Sequence, residues 1–135
     1  MKSYILILSI SLFFTGCLQS GLQILPAIYS GDTNIYDSSL TSKIRKGVTK
    51  RDVERILGPT KNKVKALDKD HVNRYATKYT GRYTTIHEGE YELWKYNASK
   101  QISEMGIVGS THRTFRKTCV VVFNLEDEVV LFECS

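Results

Sequence analysis

The sequence is poor in the residues that build metal sites and nucleophilic sites. Its 135 residues include three cysteines and three histidines. Cys119 and Cys134 are too far apart for a Cys-x-x-Cys pair. His71, His87 and His112 share no spacing typical of metal ligands. We find neither a glycine-rich phosphate loop nor a serine elbow in the sequence. The sequence therefore predicts a protein that is not an enzyme and that holds no metal and no cofactor.

The sequence also lacks an apolar run long enough to span a bilayer as a helix. The run from Tyr4 to Phe14 has eleven residues, which is the length of a signal-peptide core, and Lys2 supplies a positive charge before it. Thr-Gly-Cys follows at 15–17 and is similar to a bacterial lipobox. We therefore predict that residues 1–16 are a signal peptide and that Cys17 carries diacylglycerol and palmitate. The alternative is an ordinary signal peptide that is cleaved nearby, with an incidental Cys17.

The residue after the predicted lipidation site indicates in which of the two membranes the protein is anchored. In enteric-type sorting an aspartate at this position favours the inner membrane, and Leu18 stands there instead. We therefore predict anchoring in the outer membrane, on its periplasmic side. Residues 17–37 have no sustained helical or strand period, because Gly21, Pro26 and Gly31 interrupt them. We interpret them as a lipidated tether that lies partly on a protein surface.

The charge balance is basic. The chain has 19 basic and 14 acidic residues and a net charge of +5. A basic balance is typical of nucleic-acid binding, but an exported protein meets little nucleic acid. We therefore expect lipid head groups, lipopolysaccharide phosphates or acidic protein surfaces as partners, and no nucleic acid. A solvated basic surface without a partner is the alternative.

Residues 44–59 contain a short helix with signals at both ends. Thr49 can accept a hydrogen bond from the backbone N–H of Asp52, and Asp52 can return a bond, as in a capping box. Gly58 and Pro59 end the helix. These signals predict a helix over Lys50–Leu57. A helix of this length is unstable alone and must dock on a larger element.

The two faces of this predicted helix differ. Its apolar positions recur at i, i+3 and i+4, which predicts one buried face: Val53, Ile56 and Leu57. We expect Lys50, Arg51 and Arg55 to share the exposed face with Glu54, and these three basic residues are the candidate contacts for a partner or for lipid. A first helix is predicted before Gly47, capped by Asp37 or Ser39, with Leu40 and Ile44 on its apolar stripe.

Residues 60–89 are the least regular part of the sequence. Basic–tyrosine pairs recur every four residues at 74–75, 78–79 and 82–83. A helix would align these tyrosines, but Gly81 and the threonines favour a strand or loop. Such pairs can hold phosphates and stack on flat groups, or the tyrosines can pack on the domain from a solvated hairpin. Glu88, Glu90 and Glu92 alternate, and we expect them to line a solvated strand face.

The C-terminal part of the sequence predicts strands. Tyr91–Tyr96 is the first, 100–114 reads as a long mobile connection, and 118–124 with 129–134 form a closing hairpin. A two-residue turn at Glu126-Asp127 places Cys119 opposite Cys134 and Phe123 opposite Val130. A left-handed Asp127 with a bulge would shift the pairing by one residue. We prefer the first register and a Cys119–Cys134 disulfide, because an exported protein is oxidised. Two buried free thiols are the alternative.

The order of these elements resembles a family. Gly47, Thr49, Val53, Leu57 and Gly58-Pro59, followed by Trp94-x-Tyr96 and the closing hairpin, are similar to the SmpA/OmlA lipoproteins of the BamE type. The resemblance covers 38–134, and it makes 38–135 one α+β domain. It implies two short N-terminal helices packed on one face of a small antiparallel sheet of three or four strands.

The resemblance also implies a function, namely a non-catalytic scaffold or accessory in outer-membrane protein assembly and envelope integrity. Its protein partner would belong to the envelope, with the outer-membrane assembly machinery as the candidate. The alternative function keeps the fold and changes the partner, as in an inhibitor-like module or a plasmid- or phage-encoded envelope lipoprotein.

Overall fold

The computed structural model describes residues 23–24 and 26–135. The predicted signal peptide, Cys17 and Leu18 lie outside the described residues. The fold is α+β, with one antiparallel sheet that ends in a C-terminal hairpin, as predicted. Its strands are β1 (Gln23–Ile24), β2 (Ile28–Gly31), β3 (Asn62–Leu67), β4 (Tyr91–Gly106), β5 (Gly109–Phe123) and β6 (Val129–Cys134). Its helices are a 3-10 turn (Thr33–Tyr36), α1 (Ser38–Thr41), α2 (Lys50–Leu57) and α3 (Lys69–Thr80).

Helix α2 has the predicted bounds and the predicted cap. The Thr49 hydroxyl accepts from the backbone N–H of Asp52 at 3.2 Å, and Gly58 adopts a φ of +88° at the C-terminus, where glycine carries no Cβ penalty. The residues around α2 also join the closing hairpin. The backbone N–H of Gly47 donates to Val129, and that of Val129 donates to Val48. Strand pairing therefore fixes the segment that leads into α2.

The sheet is built around β4. Strands β1, β2 and β3 pair with one edge of β4 in succession, β5 pairs with its other edge, and β6 lies outside β5. The sheet therefore has six strands, and the predicted number of three or four was too low. Because β1, β2 and β3 share one edge of β4, no more than four strands lie side by side at any point of the sheet. Strands β2 and β3 show no clear period in the sequence, because their side chains are mostly exposed and only their pairing with β4 makes them strands.

The predicted mobile connection at 100–114 was wrong. Strands β4 and β5 stay paired without interruption from Glu92↔Phe123 to Gly106↔Gly109, so almost the whole segment is strand. The two glycines that suggested a loop flank a two-residue turn at Ile107-Val108. The polar composition of the segment follows from its exposure, because no residue from 99 to 118 is buried.

Most of the tyrosine repeat lies in helix α3, so the strand or loop that was predicted for it was wrong. Asp68 caps it by accepting from the backbone N–H of His71 at 2.8 Å, and Gly81 ends it at a φ of +72°. Tyr75 and Tyr79 align and stack, with ring centroids 6.0 Å apart, whereas Tyr83 lies beyond the helix. The cap, the terminal glycine and the apolar positions at i, i+3 and i+4 were readable signals. The threonines outweighed them in the prediction, although tertiary contacts override such weak propensities.

Two apolar clusters cover the two faces of the sheet. The first contains residues from before α1, from α2 and from the sheet: Ile35, Ile44, Val53, Leu57, Trp94, Tyr96, Ala98, Cys119, Val121, Phe123 and Val129. The second packs α3 on the other face: Leu67, Val72, Ala76, Ile86, Tyr91, Leu93, Val120 and Val122. The helix predicted before Gly47 is only the four-residue α1, which has no buried residue of its own.

The closing hairpin combines the two registers that the sequence allowed. Cys119 pairs with Cys134, as in the preferred register. Asp127 is left-handed, at a φ of +61°, and a bulge after Val122 makes Phe123 pair with Val129. The predicted Phe123–Val130 pair was therefore wrong. The bulge absorbs the extra residue near the turn, so the register changes only there.

Candidate interaction surface

The first of the candidate contact residues, Lys50, lies in a network of ionised groups. Its ammonium donates to Glu92 and, at 2.5 Å, to Asp127. Glu92 also accepts from the Trp94 indole N–H at 2.8 Å. The Lys50 side chain is only 24% exposed. The prediction that Lys50 shares the exposed face of the helix was therefore wrong, because two carboxylates draw it toward the sheet.

The expected row of glutamates is also absent from β4. The strand begins at Tyr91, so Glu88 and Glu90 precede it and are exposed. Glu92 is buried and paired, which corrects its placement on a solvated face. Strand alternation failed here because the segment before Tyr91 is not extended strand, and a partner 42 residues away in sequence accommodates the Glu92 charge.

The network shifts the pKa values of both partners. Burial lowers the pKa of Lys50, but hydrogen bonds to Asp127 and Glu92 outweigh it and raise that pKa above its ordinary value. Burial raises the pKa of Glu92, but hydrogen bonds from Lys50 and Trp94 outweigh it, so that pKa falls below its ordinary 4.5. The charged pair therefore stabilises the fold above pH ~4.5. The contribution of Glu92 to this stability is lost as the pH falls through the lowered pKa of its carboxyl group.

Replacement of Glu92 tests this network. Glu92→Gln removes one of the two ionic partners of Lys50, and we expect the free energy of unfolding at pH 7 to fall by about 1–2 kcal/mol. Below pH ~4.5 wild type should lose this advantage over the variant. Urea unfolding at a series of pH values measures both effects. Glu90→Gln is the control, since Glu90 is exposed. Equal stability of Glu92→Gln and wild type at pH 7 would contradict the role of the pair.

The other two candidate contacts lie on the outer face of α2. Arg51 and Arg55 are exposed, and the Arg55 guanidinium donates to Asp52 at 2.6 Å while its side chain stays 76% exposed. An exposed pair of this kind contributes little stability. Both guanidinium groups therefore remain accessible to carboxylates or phosphates of a partner.

The basic and aromatic residues of 60–89 form a different surface, on the α3 side of the sheet. The Lys95 ammonium lies over the Tyr79 ring, 4.3 Å from its centroid, and the Lys78 ammonium is 5.7 Å from the same ring. Tyr75 and Tyr79 also pack on the second apolar cluster. These tyrosines are therefore partly structural, and their cations are held near them.

The cysteines of the hairpin are bonded to each other. The Cys119–Cys134 disulfide has an S–S distance of 2.03 Å and joins β5 to β6 inside the first apolar cluster. Cys17 lies outside the described residues. Within 23–24 and 26–135, histidine, cysteine and acidic side chains form no group of three suited to a metal ion.

The β4–β5 hairpin carries apolar residues that sequence analysis did not single out. Met105, Ile107 and Val108 are exposed at its turn, and Phe115 is half exposed along β5. The signal was present in the sequence, since two β-branched residues stand between Gly106 and Gly109 at a position where turns are normally polar.

Comparisons of the chain with protein-family models, with curated proteins and with solved structures find no match. The resemblance to the SmpA/OmlA lipoproteins therefore stays a prediction. No helix among the described residues has the length and apolar character needed to cross a bilayer.

Proposed function

We propose that the protein is a lipoprotein of the outer membrane, anchored through Cys17 on the periplasmic side. It serves as a non-catalytic scaffold or accessory in outer-membrane protein assembly and envelope integrity. The lipobox-like residues at 15–17 and the SmpA/OmlA resemblance support this function. Removal of residues 1–16 and acylation of Cys17 would anchor the chain firmly, since each buried methylene contributes about 0.8 kcal/mol.

One observation carries the proposal, namely the pairing of the tether with the domain. Strands β1 and β2 are part of the tether at 17–37, and both pair with β4. Gln23 is six residues after Cys17, and six extended residues span about 20 Å. An acylated Cys17 would therefore limit the distance between the domain and the bilayer. An accessory of membrane-protein assembly acts at this short distance from the membrane.

The finer arrangement of the family fold belongs to this proposal. In it, the two short helices before β3 form one unit on the sheet. The burial of Val53 and Leu57 beside Trp94 supports this arrangement. The outer face of α2 then carries the partner site, with Arg51 and Arg55 as contacts to acidic protein groups or to anionic lipid. Lys50 lies on the sheet side of this face, where its ion pair with Glu92 attaches the start of α2 to β4.

A second candidate function keeps the fold and changes the partner. The observation that favours it is α3, which packs on the sheet face opposite α2. The family pattern that the sequence resembles has no helix at this place. A protein-binding module for another envelope partner, inhibitor-like or encoded by a plasmid or phage, would use the α3 surface with Arg74 and Lys78.

Palmitate labelling and partner capture test the proposal together. Cys17→Ser is expected to abolish palmitate incorporation and outer-membrane location. Arg51→Ala with Arg55→Ala is expected to keep both, to keep its circular dichroism, and to lose severalfold in the recovery of envelope proteins from solubilised membranes. The loss should be larger at low salt, where screening is weakest.

The matched control is Arg74→Ala with Lys78→Ala. These two cations are also exposed and four residues apart, on α3. Unchanged palmitate incorporation in Cys17→Ser would refute the anchor. Normal recovery of partners by the α2 variant, with a loss in the α3 variant, would replace the first function by the second. Mass spectrometry of the captured proteins tells assembly proteins from other envelope partners.

A further inference from the structure

Strands β4 and β5 continue far beyond the core as a hairpin arm, residues 99–118. The last buried residue on β4 is Ala98, and the next buried residue on β5 is Cys119. Between them the strands stay paired up to Gly106↔Gly109. Eight residues of strand project about 25 Å at the usual rise per residue. The arm therefore carries its turn well away from both apolar clusters.

The arm tip, residues 105–109, is apolar, and its two turn residues do not pack on the part of the domain that the structure describes. Ile107 is 92% exposed, Val108 is fully exposed, and half of the Met105 surface is exposed. Two-residue hairpin turns prefer glycine, asparagine or aspartate, because their backbone conformations suit those residues. Neither Ile107 nor Val108 adopts a positive φ, so the turn accommodates their β-branched side chains but does not require them. The fold gives no reason for them, and a contact outside the domain does.

The strand pairing also sets the direction of the N-terminal chain. β1 runs antiparallel to β4, with Gln23 opposite Met105 and Ile24 opposite Glu104. The described part of the chain therefore begins beside the arm tip. Cys17 is six residues before Gln23, and six extended residues span at most about 20 Å. The predicted lipid is therefore tethered to the arm tip, and both clusters lie at the other end of the arm.

The charges of the arm complement a membrane surface. Its basic residues are Lys100, Arg113, Arg116 and Lys117, and Glu104 is its one acidic residue. Arg113 stands four residues from Gly109, and when the tip enters the apolar region its long side chain reaches phosphate groups at the surface. Lys100, Arg116 and Lys117 lie near the base of the arm, where they attract the anionic surface at longer range.

We propose that the arm tip inserts into the interface of the phospholipid bilayer beside the acylated Cys17. This inference rests on the proposed lipid anchor. The acyl chains hold the protein in the membrane but do not fix its orientation relative to the bilayer. The inserted tip is a second contact at the same end, and the two contacts together keep the arm roughly perpendicular to the membrane. The domain, with α2 and α3, then stands up to about 25 Å from the bilayer. In this orientation acidic groups of envelope proteins, and not anionic lipid, are the contacts of Arg51 and Arg55.

A depth measurement on the acylated full chain tests the inference. Val108→Cys, labelled with an environment-sensitive dye, is reconstituted in vesicles of phosphatidylethanolamine and phosphatidylglycerol with brominated acyl chains. Leu125→Cys is the matched control, because Leu125 is an exposed apolar turn residue at the opposite end of β5. The label at 108 is expected to shift to the blue and to be quenched severalfold more than the label at 125. Adding Ile107→Asp should lower the quenching at 108 to the level at 125.

Three results would overturn the inference. Equal, weak quenching at both positions means that the tip stays in water. Equal, strong quenching means that the whole domain lies on the bilayer. A label at 108 that is shielded from aqueous iodide but not quenched by brominated lipid means that a second copy or another protein covers the tip.

The mass of the N-terminal peptide separates this inference from the lipoprotein proposal. An acylated Cys17 with an unquenched label at 108 leaves the anchor intact and refutes the insertion. If Cys17 carries no acyl chain, the anchor fails, and flotation of the same chain with vesicles decides the inference alone. Flotation that Ile107→Asp lowers by about tenfold or more would support tip insertion. Absence of flotation would refute it.

Discussion

Val53→Asp is expected to lower the free energy of unfolding by at least about 4 kcal/mol. Val53 is fully buried in the first apolar cluster, beside sheet residues that include Trp94 and Phe123. A carboxylate at this position would lose its hydration without gaining a partner. A domain of this size is stable by about 5–15 kcal/mol, so the variant should be unfolded or only marginally folded at room temperature.

Circular dichroism and urea unfolding measure this effect. Arg51→Asp is the matched control, because it introduces the same residue two positions earlier in α2, on the exposed face. We expect the control to keep its stability, since a carboxylate in the first turn of a helix is favourable. A midpoint of unfolding unchanged in Val53→Asp would show that this face of α2 is not part of the core.

Removal of the disulfide is expected to have the second largest effect. Replacing Cys119 and Cys134 together by alanine should lower the free energy of unfolding by about 3 kcal/mol, because the bond closes a loop between residues 15 apart in sequence. Alanine is preferred to serine, since Cys119 is fully buried and a hydroxyl there would lack a hydrogen-bond partner.

A reductant supplies the control for this prediction. Dithiothreitol should lower the stability of wild type toward that of the double variant and should leave the variant unchanged. Alkylation of the unfolded, unreduced protein followed by mass spectrometry counts its free thiols. Two alkylated cysteines in protein taken from the periplasm would refute the disulfide.

Helix α2 could be predicted in full because its determinants are local. The cap from Thr49 to Asp52 and the apolar positions from Val53 to Leu57 span at most five residues each. Helix α3 has determinants of the same kind, with Asp68 at its start and Gly81 at its end. Its prediction failed because the propensities of Gly81 and the threonines favour a strand or loop, and the burial of Val72 and Ala76 on the sheet outweighed these propensities.

The candidate contact surface was predictable only in part. Arg51 and Arg55 lie on the exposed face that the helical period gives them. Lys50 departs from it because its chain bends to two carboxylates, and neither Glu92 nor Asp127 is a neighbour in the sequence. The apolar turn at Ile107-Val108 was visible as residues, but its isolation from the core was not.

The sequence by itself determined the elements whose causes lie within a few residues: α2 with its caps, the β-rich C-terminal part and the pairing of Cys119 with Cys134. Only the tertiary structure decided that residues 23–24 and 28–31 of the tether and most of 100–114 are strands, that Phe123 pairs with Val129, and that Lys50 turns inward. For the tether and for Lys50 the physical reason is the distance along the chain between the groups involved. Lys50 is 42 residues from Glu92 and 77 from Asp127, and β1 lies about 80 residues from its partner strand. Such pairings depend on how the whole chain packs, and no local pattern records them.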